Sequence, residues 1–267
     1  MNLLIIKILV SIFMVIFLAE IAKRVNPVLG GILSGLPLGT GLSVYFISYE
    51  QGIDFFIPAI PWGIAALASS LLFCFVYFKA GQFFSAGRKL LGMFGCSLLG
   101  FLVFFLSGFG LEQIKINFSL SLLIFFIFFL GNLFYMRKVK SRITIVRQES
   151  KKLTSYQLLI RGLLVGLIIV GITGLGVFFG EKWAAILSSF PSTLYVLLLI
   201  LHFDGNDRYY PAVIYGFSHS VSTLAVFYLS SAFFLPRFGL NKGFILSYAF
   251  SIFYIYFYNK IIIKRLK

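Results

Sequence analysis

Short polar breaks divide this chain into nine long apolar runs, at approximately 2–22, 28–49, 55–78, 89–110, 117–136, 157–179, 183–203, 209–234 and 241–262. A helix needs about 20 consecutive apolar residues to cross the hydrocarbon core of a bilayer. Only structures that satisfy their own backbone groups survive there. Each run therefore predicts a transmembrane helix. The ~10-residue alternating segments of a membrane β-barrel are absent, so the expected fold is an all-α polytopic membrane protein of about nine spans. The first run holds Lys7 and is followed by Glu20, with no basic leader and no small-residue cleavage site. It predicts a retained first helix rather than a signal peptide.

The pattern also repeats. Gly30-Gly31-Ile32-Leu33-Ser34-Gly35-Leu36-Pro37 aligns with Ala184-Ala185-Ile186-Leu187-Ser188-Ser189-Phe190-Pro191, about 154 residues further on. Thr40 and Tyr45 follow the first segment, and Thr193 and Tyr195 follow the second. Later, Pro58-Ala59-Ile60-Pro61-Trp62-Gly63 aligns with Pro211-Ala212-Val213-Ile214-Tyr215-Gly216. Lys7 aligns with Arg161, and Glu50 and Asp54 align with Asp204 and Asp207 across one gap. Self-similarity at a fixed offset is the mark of a repeat. The expected organisation is a first repeat over 1–112, a linker helix with a basic loop over 113–156, and a second repeat over 157–267. One linker span makes the second repeat enter the membrane from the other side. The two four-helix repeats are thus expected to be inverted, as in many secondary transporters.

Composition agrees with the membrane reading. Residues are 60% hydrophobic and 12% charged, with a mean hydropathy of +1.00, against roughly 25% charged in a soluble domain. The net charge of +15 would suggest nucleic acid in a soluble protein, but no basic domain stands free of the apolar runs, so no nucleic-acid partner is expected. Assigning loops alternately to two sides puts about 17 Lys and Arg on one face and about 4 on the other. The positive-inside rule then places the N-terminus outside and the C-terminus in the cytoplasm, in what is expected to be a bacterial inner (plasma) membrane. Cys74 and Cys96 fall inside apolar runs and read as small core residues.

Candidate chemistry lies in four places. Gly and Pro crowd the second span, predicting a break near Leu36–Gly41. Ser34, Pro37, Thr40 and Ser43 surround that break, while Ser188, Ser189, Pro191, Ser192 and Thr193 mark its repeat in the seventh span. Two broken helices meeting at mid-membrane would enclose one polar substrate site, their freed backbone groups facing protein or a wet cavity. The bland reading is close helix packing with a kink. His219, within the eighth span, is a candidate for proton coupling, or else a neutral histidine bonded to nearby serines. Glu50, Asp54, Asp204 and Asp207 at the mouths of the spans are further candidates for ion coupling, or simply solvated helix ends. Lys7 and Arg161 either snorkel to an interface or select an anion.

No Walker A loop, GxSxG or His/Cys/Asp/Glu cluster with metal spacing occurs, so no metal and no cofactor is expected. The reading these features favour is a secondary transporter or lipid translocase working by alternating access on a small solute or lipid, rather than an enzyme. The alternatives are a non-transporting assembly or scaffold subunit, and a membrane enzyme acting on a lipid headgroup through His202, Asp204, Asp207 and Arg208. The bilayer itself is the expected partner, and a homo-oligomer is compatible with this reading.

Overall fold

The computed structural model describes residues 4–10, 12–13, 27–84, 89–140, 143, 155–203 and 209–266, and no strand occurs among them. After α1 (4–10) come α2 (Pro27–Ser34), α3 (Leu38–Gln51), α4 (Ile53–Phe56), a 3-10 turn (Ile57–Ala59), α5 (Ile60–Phe84), α6 (Lys89–Glu112) and α7 (Phe118–Val139). The second half holds α8 (Ser155–Phe179), α9 (Glu181–Ser188), α10 (Ser192–Phe203), α11 (Tyr210–Ser220) and α12 (Ser222–Leu266). Five stretches are long and apolar enough to cross a membrane, and a sixth is the bent pair α9–α10. The protein is an all-helical membrane protein.

Burial sorts these helices. α5 is apolar all round and buried along most of its length, with Gly63, Ala65, Ala66, Ala68, Ser69 and Ser70 enclosed. A helix apolar on every face belongs inside a bundle, and small residues let neighbouring backbones come close. α5 packs on α6, α7, α9, α11 and α12. In contrast, α6 exposes Phe94, Leu98, Leu102, Leu106 and Phe109, and α7 exposes Leu123, Ile127, Leu130 and Phe134. These stripes would be costly in water and suit lipid tails. Asn117 caps α7 by accepting from the Leu120 amide at 2.8 Å, and Arg137 and Lys138 occupy its last turn, where cations complement the helix dipole.

The stretch Tyr210–Tyr258 has 49 residues, about 70 Å of helix at 1.5 Å per residue, too long for a single crossing. Gly239 divides it, with φ 74° and ψ 174°, a conformation essentially confined to glycine. The chain doubles back there: a Cβ on Gly243 would lie 2.8 Å from the Leu235 Cα. Phe227 meets Phe244 and Tyr248 at centroid distances of 6.0 and 5.7 Å. α12 is therefore an antiparallel helical hairpin.

Contacts between element ends show which connections share an end of the bundle. Trp62 at the start of α5 donates to the Leu111 carbonyl of α6 at 3.2 Å, and Lys182 of α9 donates to the Glu112 carbonyl at 3.1 Å. At the other end Lys79 of α5 lies 5.2 Å from the Tyr135 ring of α7, and Tyr77 meets His202 of α10 and Tyr210 of α11. These contacts give the described bundle two distinct ends.

Candidate functional site

One break falls at Gly35–Leu36–Pro37, between α2 and α3, and another at Ser189–Phe190–Pro191, between α9 and α10. Their hydrogen bonds correspond one to one. Gly35 N donates to Ile32 O, Leu36 N to Leu33 O, Leu38 N to Leu36 O and Gly41 N to Pro37 O. Ser189 N donates to Ile186 O, Phe190 N to Leu187 O, Ser192 N to Phe190 O and Tyr195 N to Pro191 O. Every partner in the second set is numbered 154 above its counterpart in the first, as Ser189 is above Gly35. The bend at the second break is 44°. Ser34 and Ser188, also at that offset, each donate to the carbonyl three residues back, at 2.7 and 2.8 Å.

The two breaks touch. Thr193 Oγ1 donates to the Ser34 carbonyl at 2.8 Å, and Gly39 is packed so tightly on Ser192 Oγ that a side chain there would collide with it. Beyond these backbone bonds, side chains from other helices also reach the breaks. Tyr248 of α12 donates to Pro37 O at 2.6 Å, and Ser70 of α5 donates to Ser189 O at 2.7 Å. Ser220 of α11 reaches Gly31 O at 3.4 Å, and Tyr228 of α12 shares a 2.7 Å hydrogen bond with Ser188 Oγ. Of the two sequence expectations for the freed backbone groups, these contacts answer with protein. Ser43 Oγ, Ser192 Oγ and Thr223 Oγ1 are nevertheless buried without a partner, an arrangement rare enough in native proteins to need an explanation.

Sequence reasoning thus named the residues at the breaks but missed those that clamp them: Ser70, Ser220, Tyr228 and Tyr248. It also missed the crossing of α2 with α11. A Cβ on Gly31 would run into the Val213 carbonyl, and one on Gly216 into the Val28 carbonyl. The repeat alignment placed Gly31 and Gly216 in their two halves, yet nothing in one-dimensional spacing shows that they face each other.

No family model, no curated protein and no solved structure matches the chain.

The remaining candidates lie away from the breaks. Lys7 is only 6% exposed and does not snorkel. Its Nζ lies 2.8 Å from Glu50 Oε1 and donates to Thr173 Oγ1 at 2.9 Å, so its charge is already matched. The pair lines a cavity of about 470 Å³ with Leu4, Gln51, Val170, Thr173, Gly174 and Val177. Asp54 is exposed in α4, as a solvated helix end is. The Arg161 side chain, Asp204, Asp207 and Arg208 lie outside the described residues. His202 is enclosed rather than open at a surface: its Nδ1 lies 2.9 Å from Leu198 O and 3.3 Å from the Tyr77 hydroxyl. His219 is 7% exposed, and neither ring nitrogen has a partner. The serines beside it bond elsewhere, Ser218 to Ile214 O and Ser220 to Phe217 O.

Proposed function

We propose that the protein is a secondary transporter or lipid translocase that works by alternating access, its substrate bound where α2–α3 and α9–α10 break. The observation that carries this reading is the pair of breaks. They share one hydrogen-bond pattern at a constant offset, and they touch through Thr193–Ser34 and Gly39–Ser192. In this proposal the chain crosses the membrane nine times, as two inverted four-helix repeats joined by α7. The N-terminus is outside and the C-terminus is in the cytoplasm of a bacterial-type inner membrane. Unpartnered hydroxyls of Ser43, Ser192 and Thr223 supply the polar groups a substrate would use.

The two crossings between repeats differ. Gly31 and Gly216 bring α2 directly onto α11. At the counterpart, Tyr228 stands between α5 and α9: its ring would meet a Cβ on Gly63 at 2.8 Å, while its hydroxyl bonds Ser188. In the proposed orientation the glycine crossing lies in the cytoplasmic half and the wedged one in the outer half. Interfaces that can pack in two ways are what a rocking mechanism requires. The enclosure of His202 by Tyr77 and Tyr210 weighs against a surface acid-base role and so against the enzyme alternative.

Single cysteines at Ser43 and Ser192, in a background lacking Cys74 and Cys96, test the proposal. A membrane-impermeant maleimide applied to oriented vesicles is expected to reach these positions from both sides, in proportions that change when the membrane gradient is reversed. No labelling from either side, in protein that folds and inserts, would overturn alternating access and leave a packed scaffold.

A further inference from the structure

The side-chain amide of Asn132 stands well inside α7. It lies about 21 Å along the helix from Phe118 and about 8 Å short of Arg137, inside the level of the charged groups at that end. The residue is 8% exposed, and its amide oxygen has no hydrogen-bond partner. In a soluble protein water could answer such a group. Among lipid tails only protein or a ligand can.

Room is left beside it. A cavity of about 260 Å³ lies between α5 and α7, walled by Leu72 and Phe75 on one side and by Ile127, Phe128 and Gly131 on the other, with Asn132 also in its wall. Gly131 helps keep it open, because a Cβ there would meet nothing within 4 Å. Ile127 and Phe128 are exposed on α7, so an occupant arrives from the bilayer.

Size and chemistry select that occupant. An enclosed apolar cavity of about 150 Å³ takes one benzene ring, so this one holds a body of roughly ten carbons. None of the residues in its wall is charged. A phospholipid tail could fill the volume but brings nothing to the amide, since its charged headgroup is held at the interface. A single uncharged hydroxyl can sit at this depth. It both donates and accepts, so it answers the amide whichever of its two ends faces the cavity.

We infer that the cavity between α5 and α7 binds an uncharged lipophile bearing a hydroxyl, an aliphatic alcohol or a phenol. The hydroxyl bonds Asn132, and the apolar body lies against Leu72, Phe75, Ile127 and Phe128. The site is separate from the breaks and stands whether or not the protein transports.

Protein in phosphatidylcholine nanodiscs is photolabelled with decanol carrying a mid-chain diazirine, and with the matching decane as the control without a hydroxyl. Mass spectrometry maps the crosslinks. Saturable labelling within 71–75 and 127–135 is expected, half-maximal at about tenfold less alcohol than alkane per lipid. Asn132→Leu should erase that preference and leave alkane labelling unchanged. Gly131→Leu should exclude both probes, and thermal midpoints confirm that each variant folds. Asn132→Leu carries the test alone if Gly131→Leu does not fold. Competition by unlabelled decanol and by 4-butylphenol tells an aliphatic from an aromatic ligand. No saturable labelling by the alcohol, equal labelling by alcohol and alkane, or a preference that survives Asn132→Leu overturns the site and leaves a groove for lipid tails.

Discussion

A lysine inside an apolar helix has two outlets: its stem can carry the charge to the interface, or a partner can neutralise it in place. Lys7 takes the second, ending on Glu50 and Thr173, and so joins α1, α3 and α8 at one point. Removing one member of a buried pair leaves the other uncompensated, whereas removing both can be almost neutral. Glu50 keeps a quarter of its side chain exposed, which screens the pair and lowers the penalty. Lys7→Met is therefore expected to destabilise the protein by about 2–3 kcal/mol, less than a fully buried pair would lose. Lys7→Met with Glu50→Gln should recover at least half of that loss. Thermal unfolding of the four proteins of this cycle measures it. Additive losses would mean that the two charges are not coupled.

Among elements, the closest approach is the crossing of α2 with α11. Two helix backbones can meet only where no Cβ intervenes, and Gly31 and Gly216 each face a carbonyl of the other helix. Gly31→Ala and Gly216→Ala should each push the helices apart and cost about 2–3 kcal/mol, in the range of overpacked cores. Gly171→Ala in α8, where a Cβ meets nothing within 4 Å, should instead be neutral or stabilising, by up to about 1 kcal/mol from helix propensity. Comparing the midpoints of the three variants decides between packing and a general intolerance of glycine replacement. The breaks were legible at this scale because Gly, Ser and Pro announce lost helix in the chain itself. The crossing was not, because a glycine inside a helix looks the same in sequence whether it faces lipid or another backbone.

Among the described residues, the two ends of the bundle differ in charge. Lys79, Arg137 and Lys140 gather at one, while Trp62, Glu112 and Lys182 gather at the other. If basic loops stay in the cytoplasm, a fluorescent-protein fusion at the C-terminus should fluoresce, and alkaline phosphatase fused after Lys115 should be active. Active phosphatase at the C-terminus would reverse the orientation. The crossing of Gly31 with Gly216 would then lie in the outer half, without changing any contact described here.

Hydropathy alone determined that this chain lies in a membrane and is helical, because burying charge or unpaired backbone in lipid costs more than any other arrangement can return. Local chemistry determined where helices break, since Pro37 and Pro191 remove backbone donors wherever they stand. Long-range geometry decided the rest. Lys7 and Glu50, Gly31 and Val213, and Ser70 and Ser189 are far apart in the chain, and which of them meet depends on how the helices rotate and pack. A single sequence shows that a charge or a glycine is present at such a position. Only the folded chain shows whether it faces a partner, a carbonyl or lipid.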